Sequence, residues 1–151
     1  MDGMKKQGMT AEFAVAVHAL VYLLHKKECV SSSSLADNIC TNPARIRKIM
    51  GRLQKAGMVE SVRGRSSGYR IAEEGAEITL AAVMKALDES PVIVNWRSGD
   101  TDNACMISSN MGSVMNDLYE QMDRKCMEVL NEKTIGSICR SIEKKERRNA
   151  K

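Results

Sequence analysis

The sequence contains few aromatic residues and no long apolar run. Its 151 residues include one Phe, three Tyr and one Trp, against 11 Met. The core must therefore be built from aliphatic and thioether side chains, a composition that favours helices. No stretch reaches the roughly 18 consecutive apolar residues of a membrane span, and the N-terminus lacks a signal-peptide cleavage site. We expect a cytoplasmic protein without a membrane contact.

The cysteines and histidines are also few and show no metal-binding spacing. The five cysteines are odd in number, widely spread and without a CxxC pair. This pattern argues against a secreted disulfide framework and a zinc knuckle. His18 and His25 are seven residues apart, too far for an i,i+4 ligand pair on one helix. The sequence predicts reduced thiols and no metal site.

The net charge does not identify a partner. The chain has 23 Lys and Arg against 19 Asp and Glu, giving a formal charge of +4. A small excess does not create a global basic field, so the distribution of the charges must indicate whether nucleic acid is bound.

The first half of the chain predicts three helices and a hairpin. Apolar residues at three- and four-residue spacing predict a helix over 10–27, and the serines at 31–34 can cap a short second helix that ends near Cys40. Asn42 as N-cap and Pro43 at the first helical position predict a third helix over 43–56. Strands over 58–62 and 68–72, joined by RGRSS, predict the hairpin.

The second half predicts mainly helices. A fourth helix ends at Pro91, an irregular loop follows to about residue 104, and a long helix and a last short helix complete the pattern. We divide the chain into an N-terminal unit over 1–90, a connecting loop over 91–106, a long helix and a C-terminal helix over 107–143, and a solvated tail over 144–151.

The third predicted helix has one basic face. Ile46, Ile49, Met50 and Leu53 share the apolar face, and the opposite face carries only cations, with no acidic residue between Cys40 and Met58. Such a helix after a short helix and a tight turn is typical of a helix-turn-helix, and a basic-tipped hairpin after it indicates a winged helix-turn-helix. The residues expected to contact double-stranded DNA are Ser33, Asn42, Ala44, Arg45, Arg47, Lys48, Arg52, Arg63, Arg65 and Ser66. A phosphate loop is excluded because the tip returns to a strand and lacks the P-loop lysine.

The long helix carries an apolar stripe with near-heptad spacing. The stripe consists of Met111, Met115, Leu118, Met122, Cys126 and Val129. It predicts a homodimer formed by this helix and its copy, the alternative being that the stripe packs onto its own domain. Cys126 and Cys139 are expected in the core or at the dimer seam.

The segment LQKAGMVESVRGRSSGYRIA followed by ITL resembles the Rrf2 family of bacterial regulators, which includes IscR, NsrR and CymR. The resemblance covers about 10–139 and implies a mainly α, dimeric winged-helix transcription factor, usually a repressor. Ser67 replaces a second wing glycine that is common in the family. Cluster-binding members carry three cysteines before the long helix, whereas this chain has Cys105 alone, with Met111 about where the last cysteine is expected. We therefore expect no cofactor, because a thioether is a poor iron ligand beside thiolates.

Cys105 leaves the control of the regulator open. The thiol lies near the start of the long helix, where the helix dipole favours a thiolate, so a redox or electrophile switch is one interpretation. The other interpretation is that Cys105 is only a residue left from an ancestral cluster site. A protein partner, as in the CymR branch, is an alternative signal. A thiol enzyme is disfavoured because no CxxC and no nearby His base are present, so we expect no enzymatic activity.

Overall fold

The computed structural model describes residues 7–8 and 10–151, and helices dominate this part of the chain. The elements are β1 (Gln7–Gly8), α1 (Ala11–Lys26), α2 (Ser32–Ile39), α3 (Pro43–Lys55), β2 (Val59–Val62), β3 (Gly68–Ile71), a 3-10 turn (Gly75–Glu77), α4 (Leu80–Ala86), β4 (Glu89–Ser90), α5 (Met106–Asn131) and α6 (Ile135–Asn149). β2 and β3 form an antiparallel hairpin, while β1 and β4 pair in parallel. Of the helices in the described ranges, none combines the length and apolarity needed to cross a membrane. The mainly α fold with a small hairpin is confirmed.

Local capping explains where the helices begin. The Thr10 hydroxyl accepts a hydrogen bond from the Glu12 N–H at the start of α1. Asn42 Oδ1 accepts from the Arg45 N–H at 2.9 Å, and Pro43 occupies the first turn of α3. These side chains satisfy N–H groups that have no partner within the helix.

The core surrounds α1. Its residues Ala16, Ala19, Leu20 and Leu23 are fully buried. The neighbouring elements contribute Leu35 from α2, Ile46, Ile49, Met50 and Leu53 from α3, Val83 and Met84 from α4, and Ile135 from α6. As the composition indicates, methionine and aliphatic side chains fill the space between the helices.

α6 returns to the N-terminal unit, which the predicted division of the chain did not include. Ile135 is fully buried, and its N–H donates to the Ile78 carbonyl at 2.8 Å. Cys139 is buried in the same core. The expected tail over 144–151 is exposed, but it is helical as far as Asn149. The first turns of α6 thus complete the core of the predicted N-terminal unit over 1–90, which extends beyond its predicted end.

α4 is shorter than predicted and ends before Pro91. Asp88 adopts a left-handed conformation with φ of 52°, and Arg52 Nη1 donates to the Leu87 carbonyl at 3.1 Å. Glu89 follows and is 5% exposed, and its carboxylate accepts from both the backbone N–H and the hydroxyl of Thr10. Tertiary contacts therefore end α4, and Glu89 connects the end of α4 to the start of α1.

Candidate nucleic-acid interface

A tight turn positions α3 against α2. Cys40 ends α2 in the left-handed conformation with φ of 64°, and Asn42 starts α3 two residues later. The apolar face of α3, with Ile46 and Ile49 fully buried, packs into the core. The basic face must therefore point outward, as in the second helix of a helix-turn-helix.

The first two turns of α3 present polar and basic groups. Ala44, Arg47 and Lys48 are exposed and Arg45 is half-buried. No carboxylate of the described residues lies within 4.0 Å of the Arg47 guanidinium, whereas Lys48 Nζ lies 3.9 Å from Glu12 Oε1. The Lys48 side chain is 62% exposed, so this ion pair contributes little and leaves the ammonium accessible.

Arg52, predicted as a phosphate contact, makes a hydrogen bond within the protein. Its guanidinium is partly buried and donates to the Leu87 carbonyl, which is one of the free carbonyls at the end of α4. The side chain thus joins α3 to α4 and is directed away from the start of α3.

The wing is fixed to the connection between α1 and α2. Tyr69 at the start of β3 exchanges two backbone hydrogen bonds with Val30, at 2.9 Å and 2.8 Å. The Cys29 thiol donates to the Ser66 carbonyl at 3.0 Å. The tip turns at Gly64, whose φ of 112° suits glycine, and it exposes Arg63, Arg65 and Ser66. These exposed arginines have no carboxylate partner within the described part of the chain.

A groove of about 450 Å³ lies between the wing tip and the start of α2. Its polar lining includes Ser31, Ser34, Arg65, Ser66 and Ser67. Ser31 Oγ accepts from the Ser34 N–H at 3.1 Å as the N-cap of α2. A helix N-terminus beside hydroxyls and an arginine suits a phosphate group. Ser33 is exposed on the same first turn. Cys29 was not predicted here, because only the tertiary fold brings it to the wing.

Comparisons with known proteins agree with this geometry. The family described as "Rrf2: Iron-dependent Transcriptional regulator" matches residues 9–141. The chain belongs to the Rrf2 family. Its members are transcriptional regulators rather than enzymes, and the family implies DNA binding.

Individual relatives extend over most of the chain. The HTH-type transcriptional regulator IscR of Vibrio atlanticus is 26% identical over 138 residues, which cover 91% of this chain and 73% of that protein. NsrR of Geobacillus kaustophilus is 30% identical over 97 residues, which cover 64% of this chain and 65% of that protein.

Solved structures share the fold. A putative transcriptional regulator from Lactobacillus plantarum has a TM-score of 0.77 at 22% identity, covering 95% of this chain and 100% of that one. CymR, described as the global cysteine regulator of B. subtilis, has a TM-score of 0.66 at 20% identity. The match covers 88% of this chain and 96% of that one.

The Rrf2 loop before α5 places one thiol at a helix start. Cys105 is the N-cap residue of α5 and is exposed. The backbone N–H groups of Ser108 and, to a smaller degree, Ile107 lower the pKa of this thiol. Oriented N–H groups stabilise the thiolate, which is the reactive form.

The same loop does not offer the ligands of a cysteine-held cluster. Within residues 10–151, Cys105 belongs to no group of three or more His, Cys, Asp or Glu donors close enough to hold one ion. This donor set does not fit an iron-sulfur cluster bound by three loop cysteines. The absence of a cofactor stays a prediction.

The predicted apolar stripe of α5 lies on the surface of the protomer. Met111, Leu118, Met122 and Val129 are 36–57% exposed, while Met115 and Cys126 are partly buried. α5 contains no buried residue over its 26 positions. Its contact with the core comes from Met127 and Leu130, which lie about a quarter-turn or more around the helix axis from the exposed stripe residues. The fold-back alternative therefore does not describe the placement of the exposed stripe residues.

Proposed function

We propose that this Rrf2 protein is a homodimeric repressor that binds a palindromic operator through α3 and the wing of each protomer. The observation that carries the proposal is a set of exposed arginines on both elements, with the start of α2 between them; these arginines have no carboxylate partner among the residues that the structure describes. Arg47 extends from the first turns of α3, and Arg63 and Arg65 extend from the wing tip. As a bacterial transcription factor, the protein would act in the cytoplasm, where the chromosome is.

The two elements have different tasks in this proposal. The first turns of α3 enter the major groove, where an arginine such as Arg47 can contact guanine O6 and N7. Arg63 and Arg65 contact the DNA backbone or the minor groove, and a phosphate occupies the groove beside Ser31. Base contacts supply specificity, and phosphate contacts supply salt-dependent affinity.

A matched pair of variants tests the role of α3. Arg47→Ala should weaken binding to the chain's own upstream region by about 1–3 kcal/mol, or roughly 5- to 150-fold. Gln54→Ala changes an exposed residue near the end of α3 and should leave affinity unchanged. Equal affinities of the two variants in fluorescence anisotropy would contradict the proposed docking of α3.

The dimer is supported by the exposed residues of the α5 stripe. Leu118 is 46% exposed and Met122 47%, on a helix that buries no residue in its own protomer. Apolar side chains in heptad spacing are covered when two such helices pack together. We expect Leu118→Glu to yield monomers in analytical ultracentrifugation. Ser113→Glu, which adds the same charge on the opposite, exposed face, should remain dimeric.

Cys105 is proposed as the thiol that controls DNA binding. Its exposure and its position at the N-terminus of α5, next to the dimer stripe, allow oxidation or alkylation to change the dimer and hence the separation of the two α3 helices. Cys105→Ser should bind the operator like wild type but lose the response to peroxide. A peroxide response that persists in this variant would exclude Cys105 as the sensor, without affecting the DNA-binding proposal.

A further inference from the structure

Three potential metal ligands meet where the end of α1 contacts the beginning of α6. His25 lies in the last turn of α1, and Cys139 and Glu143 lie one turn apart on α6. Glu143 Oε1 is 3.7 Å from Cys139 Sγ and 3.9 Å from His25 Nδ1. All three donor atoms lie within 4.8 Å of one another.

These separations are close to those of a tetrahedral zinc site. With zinc–sulfur bonds near 2.3 Å and zinc–nitrogen or zinc–oxygen bonds near 2.0–2.2 Å, neighbouring ligand atoms are about 3.3–3.7 Å apart. The distance of 3.7 Å from Glu143 Oε1 to Cys139 Sγ lies at the upper end of this range, and the distance of 3.9 Å to His25 Nδ1 exceeds it only slightly. The Cys139–His25 separation requires an adjustment of about 1 Å at most, which rotation of the exposed His25 side chain can supply.

The surroundings leave one coordination position accessible. Cys139 is 8% exposed, whereas His25 and Glu143 border an open groove of about 510 Å³. Burial and the negative charge of Glu143 raise the pKa of the Cys139 thiol, which donates a hydrogen bond to the Glu143 carboxylate. His18 lines the same groove but lies outside the three-donor cluster, and its Nε2 pairs with Asn38 Oδ1 at 2.8 Å.

We propose that His25, Cys139 and Glu143 bind one divalent cation of the zinc type, with water or a small ligand in the fourth position. The set mixes thiolate, imidazole and carboxylate, which suits zinc better than the hard cations Mg²⁺ and Ca²⁺. Binding replaces the thiol proton and releases it to solvent. The site is separate from the Cys105 loop and joins α6 to α1, so an occupied site stabilises the packing of α6 on the DNA-binding unit.

Cobalt substitution provides the test. Reduced, metal-free full-length protein without a histidine tag is titrated with Co²⁺, and one equivalent per chain should produce the near-ultraviolet thiolate-to-cobalt charge-transfer band. Zn²⁺ should then displace Co²⁺ and remove the band. Zn²⁺ at 100 times its dissociation constant should raise the melting temperature by roughly 5–10 °C.

Variants assign the ligands. His25→Gln and Glu143→Gln change side chains with substantial exposure, and each should lower Co²⁺ affinity by more than the roughly 10- to 100-fold that loss of an outer hydrogen-bond partner costs. Cys139→Ser should abolish the charge-transfer band, while Cys105→Ser should retain it. A wild-type complex without the band, or a band that depends on Cys105 and not on Cys139, would overturn the proposal.

Discussion

Replacing Gly68 with Ala should loosen the wing from the body of the protein. A Cβ atom at Gly68 would lie 2.6 Å from the Val30 carbonyl carbon and 2.8 Å from the Ser31 nitrogen. Both atoms belong to backbone, so no flexible side chain can move aside. The connection between α1 and α2 and the start of β3 must therefore separate.

The structure sets the magnitude of this effect. Separation breaks the two backbone hydrogen bonds between Val30 and Tyr69, which measure 2.9 Å and 2.8 Å. At roughly 0.5–1.5 kcal/mol each, their loss lowers the free energy of unfolding by about 1–3 kcal/mol. The displaced wing also carries Arg63 and Arg65 away from their proposed phosphate contacts, so DNA affinity and its salt dependence should both decrease.

Urea unfolding at one fixed protein concentration measures the first effect, because the stability of a dimer depends on concentration. Gly51→Ala is the control, since an added Cβ there, on the exposed face of α3, meets nothing within 4 Å. The free energy of unfolding of Gly51→Ala should exceed that of wild type by about 0.5–1 kcal/mol. Substitutions at ordinary surface positions change the free energy of unfolding by less than about 0.5 kcal/mol. If Gly68→Ala lowers it by no more than this, the close approach of β3 to Val30 is refuted.

Further predictions concern the side chains around the interface. Arg52→Met should lower the free energy of unfolding by about 1.5 kcal/mol, because the partly buried bond to the Leu87 carbonyl is lost. The salt slope of its DNA binding should match wild type, and a slope reduced by about 2, one contact for each protomer of the dimer, would show that Arg52 contacts phosphate. Iodoacetamide should alkylate Cys105 first, with a rate that rises with pH around a midpoint below that of an ordinary thiol, because its pKa is lowered. Mass spectrometry that finds buried Cys139 modified before Cys105 would contradict this order.

The elements of the DNA-binding unit were predictable because their signals are local. Asn42 and Pro43 mark the start of α3 in the sequence, and the structure confirms both roles. The glycines at 64 and 68 bound the wing tip in the same way. Capping and turn preferences depend on a few neighbouring residues, so they can be identified without the rest of the fold.

Contacts between distant segments were not predictable. Arg52 looked like one more cation of a basic face, but the end of α4 provides its partner. Lys48 appeared unpaired because its carboxylate partner, Glu12, lies on α1. The three donors of the proposed metal site escaped detection for the same reason, because His25 and Cys139 lie on helices near opposite ends of the chain.

The central claim is sequence-specific DNA binding through α3 and the wing. Fluorescence anisotropy with the chain's own upstream duplex and a scrambled duplex, at several salt concentrations, tests it most directly. The account predicts a preference of about 10³-fold or more for the upstream duplex at physiological salt. Removing both wing arginines, Arg63→Ala and Arg65→Ala, should reduce the salt slope by about 4, because each protomer of the dimer loses two contacts. Equal affinity for the two duplexes, with a slope that does not respond to the wing arginines, would contradict the account.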